Sequence, residues 1–342
     1  MNRSQSHASD LAVGEIIAKD FEIVRLAGRG SFSTVYEAVQ LSRQRRRVAV
    51  KMLLVGIQHE LERRSEQLVD NPYLTEQALA QRIQNAVVCR VYRVGTHEGR
   101  FFAALEWVEG VTLDRFVQSY KGQVPLELAA DILADLGCAI ADMHRLQVVH
   151  RDLKPSNIMV HMPANRRVVV KLIDFGIAKM FGDPETRPVS NSAELLLVGT
   201  PAYMAPEQAL GKITDPRSDI FSLAAAAYEL LTGRRHLAGA AALRGADQFI
   251  EYLRSDLPIP AEPATAVRPE LPPEVDEILG AALSRKRSGR PNTVERFIDD
   301  LEVVLRATAP RPPKASILRR AVSHFLGGRP ALPNANSRAT AR

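Results

Sequence analysis

The stretch Val148–Val160, "VVHRDLKPSNIMV", decides how the rest of the chain is interpreted. Two short apolar runs flank a group of charged and amide side chains, among them Asp152, Lys154 and Asn157. A buried strand would not accept these charges unpaired, and a surface loop needs no apolar flanks of this kind. The arrangement therefore indicates a loop that is held by buried ends and presents polar groups to a ligand.

Three side chains of this loop have the chemistry that phosphoryl transfer needs. Asp152 can accept a hydroxyl proton, Lys154 can neutralise a phosphate, and the Asn157 amide can bind Mg²⁺. The strand-like run "VVVKLI" then leads to Asp174, whose carboxylate would be a second oxygen ligand. The sequence therefore predicts a phosphoryl-transfer site that uses a divalent cation.

A glycine-containing segment upstream could complete such a site. The segment "AGRGSFSTVYEA" places Gly28 and Gly30 between two strand-like runs, with Ser33 shortly after them. Small residues let backbone amides approach a phosphate closely. An ordinary hairpin turn explains the glycines equally well.

Lys51 ends the alternating strand "VAVK", so its side chain can point inward beside Ala49. A lysine on a buried face needs an anionic partner, and we predict Glu76 on the following helix. The alternative is a surface lysine at a strand end. Three other glutamates of the same segment remain rival partners: Glu60, Glu62 and Glu66.

Apolar periodicity divides the chain into two regions. Residues 21–53 are predicted to form three antiparallel strands, and 87–108 a hairpin, with a helical segment at 58–83 between them. Later segments have helical spacing, namely 126–147, 218–233 and those near 243–254, 274–284 and 293–306. The result is a small strand-rich lobe followed by a larger helical lobe.

The remaining segments set the predicted domain boundaries. We expect residues 1–20 to be disordered, the folded domain to span 21–305 with its lobes at 21–108 and 109–305, and residues 306–342 to form a basic tail. "APRPPK" ends the folded part because closely spaced prolines cannot continue a helix. The tail segment "KASILRRAVSHFLGG" could alternatively form a short amphipathic helix that contacts a partner or an anionic membrane.

Composition excludes several classes of protein. The chain of 342 residues is 46% hydrophobic and 25% charged, which is ordinary for a globular protein. The start "MNRSQSHASD" lacks the apolar core of a signal peptide, and no apolar run is long enough to span a bilayer. Two cysteines, Cys89 and Cys138, provide no disulfide framework. We therefore expect a cytoplasmic protein.

The charge distribution argues against a nucleic-acid partner. The net charge is +6, but residues 306–342 hold eight Lys and Arg and no acid, so the rest of the chain carries −2. A basic tail alone is more often a solvated or regulatory segment than a nucleic-acid reader.

Taken together, the segments resemble the eukaryotic-type (Hanks-type) serine/threonine protein kinase family, in the form of its bacterial members. The matching segments, in order, are "GRGSFSTV", "VAVK", "HRDLKPSN", "DFG", "GTPAYMAPE", "SDIFSL" and "SGRP". The resemblance implies a two-lobed α+β kinase fold and transfer of phosphate from ATP to serine and threonine hydroxyls of protein substrates. Ser33 departs from the pattern, since it stands where the family has a third glycine.

The resemblance also implies roles for individual residues. Lys51 would hold the α- and β-phosphates, Asp152 would be the catalytic base, Lys154 would contact the γ-phosphate, and Asn157 and Asp174 would hold Mg²⁺, which Mn²⁺ could replace. Leu105 takes the gatekeeper position, and Glu106 to Val108 form the hinge. The other residues around ATP would be Leu26, Gly28, Gly30, Ser33, Val35, Ala49 and Met159.

Structural and regulatory contacts follow from the same resemblance. Arg290 should pair with Glu207, and Asp219 should hold the loop of Asp152 from below. Arg151 would pair with a phosphorylated activation segment, in which autophosphorylation, in a transient homodimer, is expected at Ser190 or Ser192. Thr200 would lie near the acceptor site. Ordinary loop serines remain the alternative.

Three rival functions stay open at this stage. A pseudokinase-like ATP-binding module usually lacks Lys51, Asp152 or Asp174, all of which are present here. A small-molecule phosphotransferase would lack the "APE" segment and the lysine of "DLKPSN". A structural interaction protein that uses the basic tail finds no support in residues 21–305.

Overall fold

The computed structural model describes residues 11–30, 33–53, 83–164, 167–174, 201–237, 246–255, 259 and 262–308. A curved antiparallel sheet comes first in the chain and forms the N-lobe. A helical C-lobe with a small second sheet follows. This arrangement confirms the predicted α+β class and the order of the two lobes.

The N-lobe sheet has six strands in the order β1-β2-β3-β4-β6-β5, and every neighbouring pair is antiparallel. Their bounds are β1 Ile16–Ile17, β2 Phe21–Arg29, β3 Ser33–Gln40, β4 Arg46–Leu53, β5 Val91–His97 and β6 Arg100–Glu106.

Strand periodicity separates the core of this lobe from its functional face. Side chains alternate between the two faces of a strand, and Tyr36, Val50 and Phe102 lie in the buried N-lobe core. Val35 and Lys51 occupy the opposite parity on β3 and β4, so they share the other face of the sheet. Val35 and Lys51, both predicted to bind ATP, therefore line one surface.

The sheet begins earlier than the sequence indicated. We expected residues 1–20 to be disordered, but β1 pairs with β2 through Ile16 with Glu22 and Ile17 with Phe21. Ile17 is fully buried in the N-lobe core. A strand of two residues is too short to show an alternating pattern, which explains why periodicity did not reveal it.

The C-lobe contains eight helices and a three-stranded sheet, β7-β8-β9, within the described residues. The strands are β7 Val111–Thr112, β8 Ile158–His161 and β9 Val169–Leu172. The helices are α1 Leu113–Ser119, α2 Leu126–Arg145, α3 Pro206–Ala209, α4 Pro216–Thr232, α5 Ala246–Arg254, α6 Ala264–Val267, α7 Glu274–Ala282 and α8 Val294–Thr308.

Helix α4 runs through the centre of this lobe, and its sequence specifies both ends. The Asp215 side chain accepts a hydrogen bond from the Arg217 backbone N–H, and Pro216 occupies the first helical position. Gly233 ends the helix with φ 72°, a left-handed conformation that favours glycine. Apolar side chains of α4 are buried in the C-lobe core, so this helix is a rigid base for the loops above it.

Other predictions meet the structure with different outcomes. The predicted C-lobe helices correspond to α2, α4, α5, α7 and α8, whereas the segment 58–83 and the tail beyond 308 lie largely outside the described residues. Cys89 and Cys138 are both free thiols. None of the helices in the described part of the chain is long and apolar enough to cross a lipid bilayer.

Candidate active site

The loop between α2 and β8 is fixed from below by a buried carboxylate. Asp219 on α4 has no solvent exposure and accepts hydrogen bonds from the backbone N–H groups of His150 and Arg151, both at 2.8 Å. The imidazole Nε2 of His144 lies 2.8 Å from the same carboxylate. This geometry confirms that Asp219 holds the loop.

A second contact holds the turn before Asp152. Arg151 has φ 65°, in the left-handed region that costs a non-glycine residue about 1 kcal/mol or more. The Gln208 side-chain amide of α3 donates to the Arg151 carbonyl at 2.9 Å. The loop is thus braced from two elements, α3 and α4, and its backbone conformation is tightly determined.

Asp152, Lys154 and Asn157 form one hydrogen-bonded group. Lys154 Nζ lies 2.7 Å from Asp152 Oδ2, and Asn157 Nδ2 donates to the same oxygen at 3.0 Å. Asn157 Nδ2 also donates to the Asp152 backbone carbonyl at 2.9 Å. Because the amide nitrogen of Asn157 is directed at Asp152, its Oδ1 is the atom that can bind a cation.

Asp174 lies next to this group. The Ile173 N–H donates to the Asn157 carbonyl at 2.8 Å, so the end of β9 is attached to the loop. Asp174 Oδ1 forms an ion pair with Lys51 Nζ at 2.7 Å across the two lobes. The five polar residues that the sequence predicted for phosphate and metal binding are therefore brought together.

Lys51 has a carboxylate partner in the described part of the chain. The predicted partner, Glu76, lies outside the described residues and stays a prediction, and Lys51 pairs with Asp174. Only 11% of the Lys51 side chain is exposed, so its ammonium group needs a nearby carboxylate. Residues 51 and 174 are far apart in the sequence, so no local sequence pattern indicates that they are in contact.

The donor set fits Mg²⁺ that is shared with a phosphate substrate. Asn157 Oδ1 and the Asp174 carboxylate are hard oxygen ligands, and Mg²⁺ often takes one or two protein ligands together with phosphates and waters. Within the described residues, no group of three or more His, Cys, Asp or Glu side chains could form an all-protein metal cage. The two residues fit this cation.

Strand register places the predicted nucleotide residues on one surface. Val35 pairs with both Gly28 and Lys51, and Ala49 pairs with Leu105. Leu26, on β2, is 42% exposed and pairs with Tyr36, next to the register shift that precedes Gly28. The strands β2, β3, β4 and β6 thus form a continuous apolar and glycine-containing roof.

The other residues predicted around a nucleotide lie at the borders of this surface. Met159 is on β8, opposite Thr112 and Lys171, and Val108 is in the segment between the lobes. Ser33 is buried at the start of β3, and its carbonyl accepts a 2.8 Å hydrogen bond from the Gly30 N–H.

Sequence reasoning missed two supporting contacts around the segment between the lobes. Lys171 on β9 forms a 2.7 Å ion pair with Glu106, which ties the strand before Asp174 to the end of β6. The guanidinium groups of Arg25 and Arg47 lie over the Trp107 ring, 5.6 and 4.4 Å from its centroid, in cation–π contacts. Arg47 belongs to β4, and no local sequence pattern links it to Trp107.

Cys89 lies close to the cleft but is chemically inert. Its thiol is buried, and burial together with the charges of Glu106 and Asp174 raises its pKa to about 12. Because the thiolate is the nucleophile of cysteine, Cys89 supplies packing rather than chemistry.

The predicted pair of Glu207 and Arg290 is confirmed. Arg290 donates from Nη1 and Nη2 to the two carboxylate oxygens of Glu207 at 2.7 and 2.8 Å. Burial by itself raises the pKa of Glu207, but the bonds from Arg290 and from Ser218 outweigh it, so the pKa is lowered. The pair attaches α3 to the loop before α8.

The predicted regulatory serines and threonine lie outside the described residues. These positions are Ser190, Ser192 and Thr200, within the gap from 175 to 200. Arg151, their predicted partner, is at the catalytic loop as described above.

Known proteins with similar sequences or folds identify the family to which this architecture belongs. A model of the protein kinase domain matches residues 21–300. A probable serine/threonine-protein kinase of Clostridium perfringens is 30% identical over 85% of this chain and 39% of its own length. The serine/threonine-protein kinase PknA of Mycobacterium tuberculosis is 32% identical over 89% of this chain and 65% of its own length.

The chain thus spans between two fifths and two thirds of the length of these two relatives. The crystal structure of the PknI kinase domain of Mycobacterium tuberculosis is 21% identical, with a TM-score of 0.64, and covers 86% of this chain and 99% of that one. It shares the fold described here. On the match of residues 21–300, this chain belongs to the protein kinase domain family.

Proposed function

We propose that this chain is a serine/threonine protein kinase that transfers the γ-phosphate of ATP to hydroxyl groups of protein substrates. One observation carries the proposal: Asp152 is bound by Lys154 and Asn157 in a braced loop, and the Asn157 carbonyl attaches that loop to the strand of Asp174. The curated relatives are named serine/threonine kinases, which supports the same activity.

The nucleotide would lie beneath the N-lobe sheet. Leu26, Val35 and Ala49 would contact the adenine from above and Met159 from below, while the backbone of Glu106 to Val108 would hydrogen-bond its edge. The amides of Gly28 and Gly30 would approach the phosphates. Leu105 would set the depth of the adenine pocket, and Ser33 would lie beside the glycine segment.

Lys51, Asn157 and Asp174 would hold the phosphates. Lys51 would bind the α- and β-phosphates. Its ion pair with Asp174 holds the Lys51 and Asp174 side chains next to each other. Asn157 Oδ1 and the Asp174 carboxylate would bind Mg²⁺, for which Mn²⁺ could substitute. Mg²⁺, when bound, neutralises charge that develops on the phosphate oxygens.

Asp152 and Lys154 would act on the reacting groups. Asp152 would accept the proton of the substrate hydroxyl while the hydroxyl oxygen forms a bond to the γ-phosphorus. The bond between the γ-phosphorus and the bridging oxygen of the β-phosphate would break at the same time and release ADP. The Lys154 ammonium group lies beside the Asp152 carboxylate. It would also lie beside the γ-phosphoryl group during transfer. Lys154 is also the residue of the loop that favours serine and threonine as acceptors.

Regulation forms a second part of the proposal. Phosphate on Ser190 or Ser192 would bind Arg151 and hold the segment that leads to Thr200, because a phosphoryl group forms strong bonds to arginine. A second copy of the chain in a transient homodimer would transfer that phosphate from ATP, and Glu76 would be a further carboxylate partner of Lys51. The tail beyond residue 308 is a candidate contact for a partner protein or an anionic surface.

Substituting the proposed base tests the function. Asp152→Asn should lower kcat for a generic protein substrate such as casein by about 10²–10⁴-fold, the contribution of a general base. ATP affinity, measured by titration calorimetry, should stay within a factor of a few, since Asp152 is not a nucleotide ligand.

The matched control is Asp300→Asn, the same change at a half-exposed carboxylate of α8 that pairs only with Arg296 in the described residues. It should leave kcat unchanged. Equal activity of the wild type and Asp152→Asn would overturn the proposed mechanism. ATP binding without any phosphate transfer by the wild type would instead indicate a pseudokinase-like ATP-binding module.

A further inference from the structure

A basic groove lies on the C-lobe between α3, the start of α4, the end of α5 and the turn at Arg287–Gly289. Its volume is about 610 Å³, within the range of ligand-binding pockets. Two carboxylates line it, Glu207 and Asp215. The six cationic side chains that line it are Lys212, Arg217, Arg254, Arg285, Lys286 and Arg287.

Both carboxylates of the basic groove already have partners. Glu207 is bound through two hydrogen bonds by Arg290, which lies behind the groove wall. Asp215 accepts from the Arg217 backbone N–H at 2.9 Å and from the Arg287 side chain at 2.9 Å. Among the cations of the groove, these two carboxylates therefore neutralise Arg287.

Backbone carbonyls fix most of the remaining arginines. Arg254 donates to the Ala209 carbonyl at 2.9 Å, and Arg285 donates to the Leu253 carbonyl at 2.6 Å. Arg217 donates to the Arg287 carbonyl at 3.3 Å. A neutral carbonyl orients a guanidinium without cancelling its charge, so Arg254 and Arg217 present oriented positive charge to the groove.

Two lysines complete the basic groove. Lys212 and Lys286 are exposed, and within the described residues neither has a carboxylate at ion-pair distance. A concave surface lined by one sign of charge concentrates ligands of the opposite sign. The groove therefore selects an anion.

The position of α3 connects the basic groove to catalysis. Glu207 of this helix faces the groove, and its neighbour Gln208 donates to the Arg151 carbonyl in the loop of Asp152. A ligand in the groove thus lies one short helix away from the site of phosphate transfer. The half-exposed Leu210 and the buried Leu253 add apolar surface to the same wall.

We propose that the basic groove is a docking site for an acidic, carboxylate-rich segment of the protein substrate. The proposal rests on the proposed kinase function, which makes a protein the occupant beside the loop of Asp152. Cations gathered in a concavity with apolar side chains suit a peptide with acidic and apolar residues. A nucleic acid would need an extended stripe of cations along a face.

Binding of a labelled peptide tests the groove without ATP, so the result does not depend on catalysis. The probe is a fluorescein-labelled peptide of alternating Glu and Leu, measured by fluorescence polarisation at low salt. The double variant Lys212→Glu with Lys286→Glu should weaken binding about tenfold or more, because two attractions become repulsions. A peptide with Gln in place of Glu should not bind the wild type.

A matched double variant at exposed lysines outside the groove, Lys19→Glu with Lys121→Glu, carries the same change in net charge. It should bind the acidic peptide as the wild type does. The proposal is overturned if both double variants weaken binding equally, or if a single-stranded oligonucleotide binds the groove more tightly than the peptide.

Kinase assays then separate docking from catalysis. A serine peptide linked to the Glu-rich segment should show a KM raised about tenfold in the groove variant, with kcat unchanged. A serine peptide without that segment should be phosphorylated equally by both proteins. An equal KM for the linked peptide would exclude docking, whereas absence of activity in both proteins would count against the kinase function and leave the binding result standing.

Discussion

Asp219 shows how much of the site depends on one buried side chain. It accepts two backbone N–H groups of the catalytic loop and lies beside the His144 imidazole, with no solvent exposure. Hydrogen bonds to a charged group are worth more than neutral ones, and buried donors without an acceptor are costly. The position of Asp152 therefore depends on Asp219.

Replacing Asp219 by Asn should destabilise the protein and reduce activity together. One carboxylate oxygen becomes an NH₂ group, which leaves a buried backbone N–H facing a donor. We expect a loss of about 2–3 kcal/mol in the free energy of unfolding, measured by urea titration. Asp300→Asn should stay within about 0.5 kcal/mol of the wild type. Wild-type stability and kcat in Asp219→Asn would contradict this role.

His236 gives the fold a defined response to acid. Its ring is buried, packs edge-on against Phe221 at 5.8 Å between centroids, and has no hydrogen-bond partner among the described residues. Burial lowers its pKa from 6.5 to about 3. Between these values the unfolded chain takes up a proton that the folded protein does not, so stability falls as the pH falls.

His236→Phe should remove this contribution. The wild type should lose about 1.4 kcal/mol per pH unit more than the variant as the pH falls below 6.5 towards 4. Urea unfolding of both proteins at pH 7.0, 6.0 and 5.0 measures the difference. Parallel stability profiles for the two proteins would show that His236 titrates normally in the folded state.

At this scale, the sequence supported the residues whose chemistry is local. Asp152, Lys154 and Asn157 lie within six positions of one another, and loop chemistry alone grouped them. The Lys51 and Asp174 pair spans 123 positions, so no local pattern could predict it. The charge on a buried-face lysine indicated that a partner was needed, but not which one.

At the scale of elements, the end of the segment between the lobes depends on a close backbone approach. Gly110 has φ 116°, and a Cβ there would lie 2.8 Å from the Val160 carbonyl carbon. Val160 is in β8, next to Met159, the proposed floor of the adenine site. A side chain at Gly110 would therefore displace the strand that supports the nucleotide.

Gly110→Ala should cost roughly 1–3 kcal/mol from backbone strain alone. It should also weaken ATP binding, because β8 must move to relieve the contact. The matched control is Gly280→Ala in α7, where a Cβ meets nothing within 4 Å. That change should stabilise the protein by about 0.5–1 kcal/mol. Urea titration of both variants measures the change in the free energy of unfolding, which should be opposite in sign for the two. A Gly110→Ala variant as stable as the wild type would contradict the close contact with Val160.

Periodicity predicted long elements and missed short ones. The strands β2, β3, β4 and the β5–β6 hairpin, and helices α2, α4, α7 and α8, carry enough repeats to be recognised. Strand β1 has two residues and pairs only because Ile17 enters the N-lobe core.

At the scale of the whole molecule, ion pairs at the candidate site join the N-lobe core to the C-lobe core. One core lies within the N-lobe sheet and a larger one within the C-lobe. The contacts of Lys51 with Asp174 and of Glu106 with Lys171 join the lobes at the cleft. A nucleotide bound there would contact both lobes, which is the arrangement that phosphate transfer requires.

The most direct test of the central claim is mass spectrometry of the purified protein after incubation with Mg·ATP and casein, beside Asp152→Asn. We predict phosphate on serine and threonine residues of casein, and on the chain's own Ser190 or Ser192, with the wild type only. Equal phosphorylation by both proteins, or none by the wild type while it binds ATP, would contradict catalysis by Asp152.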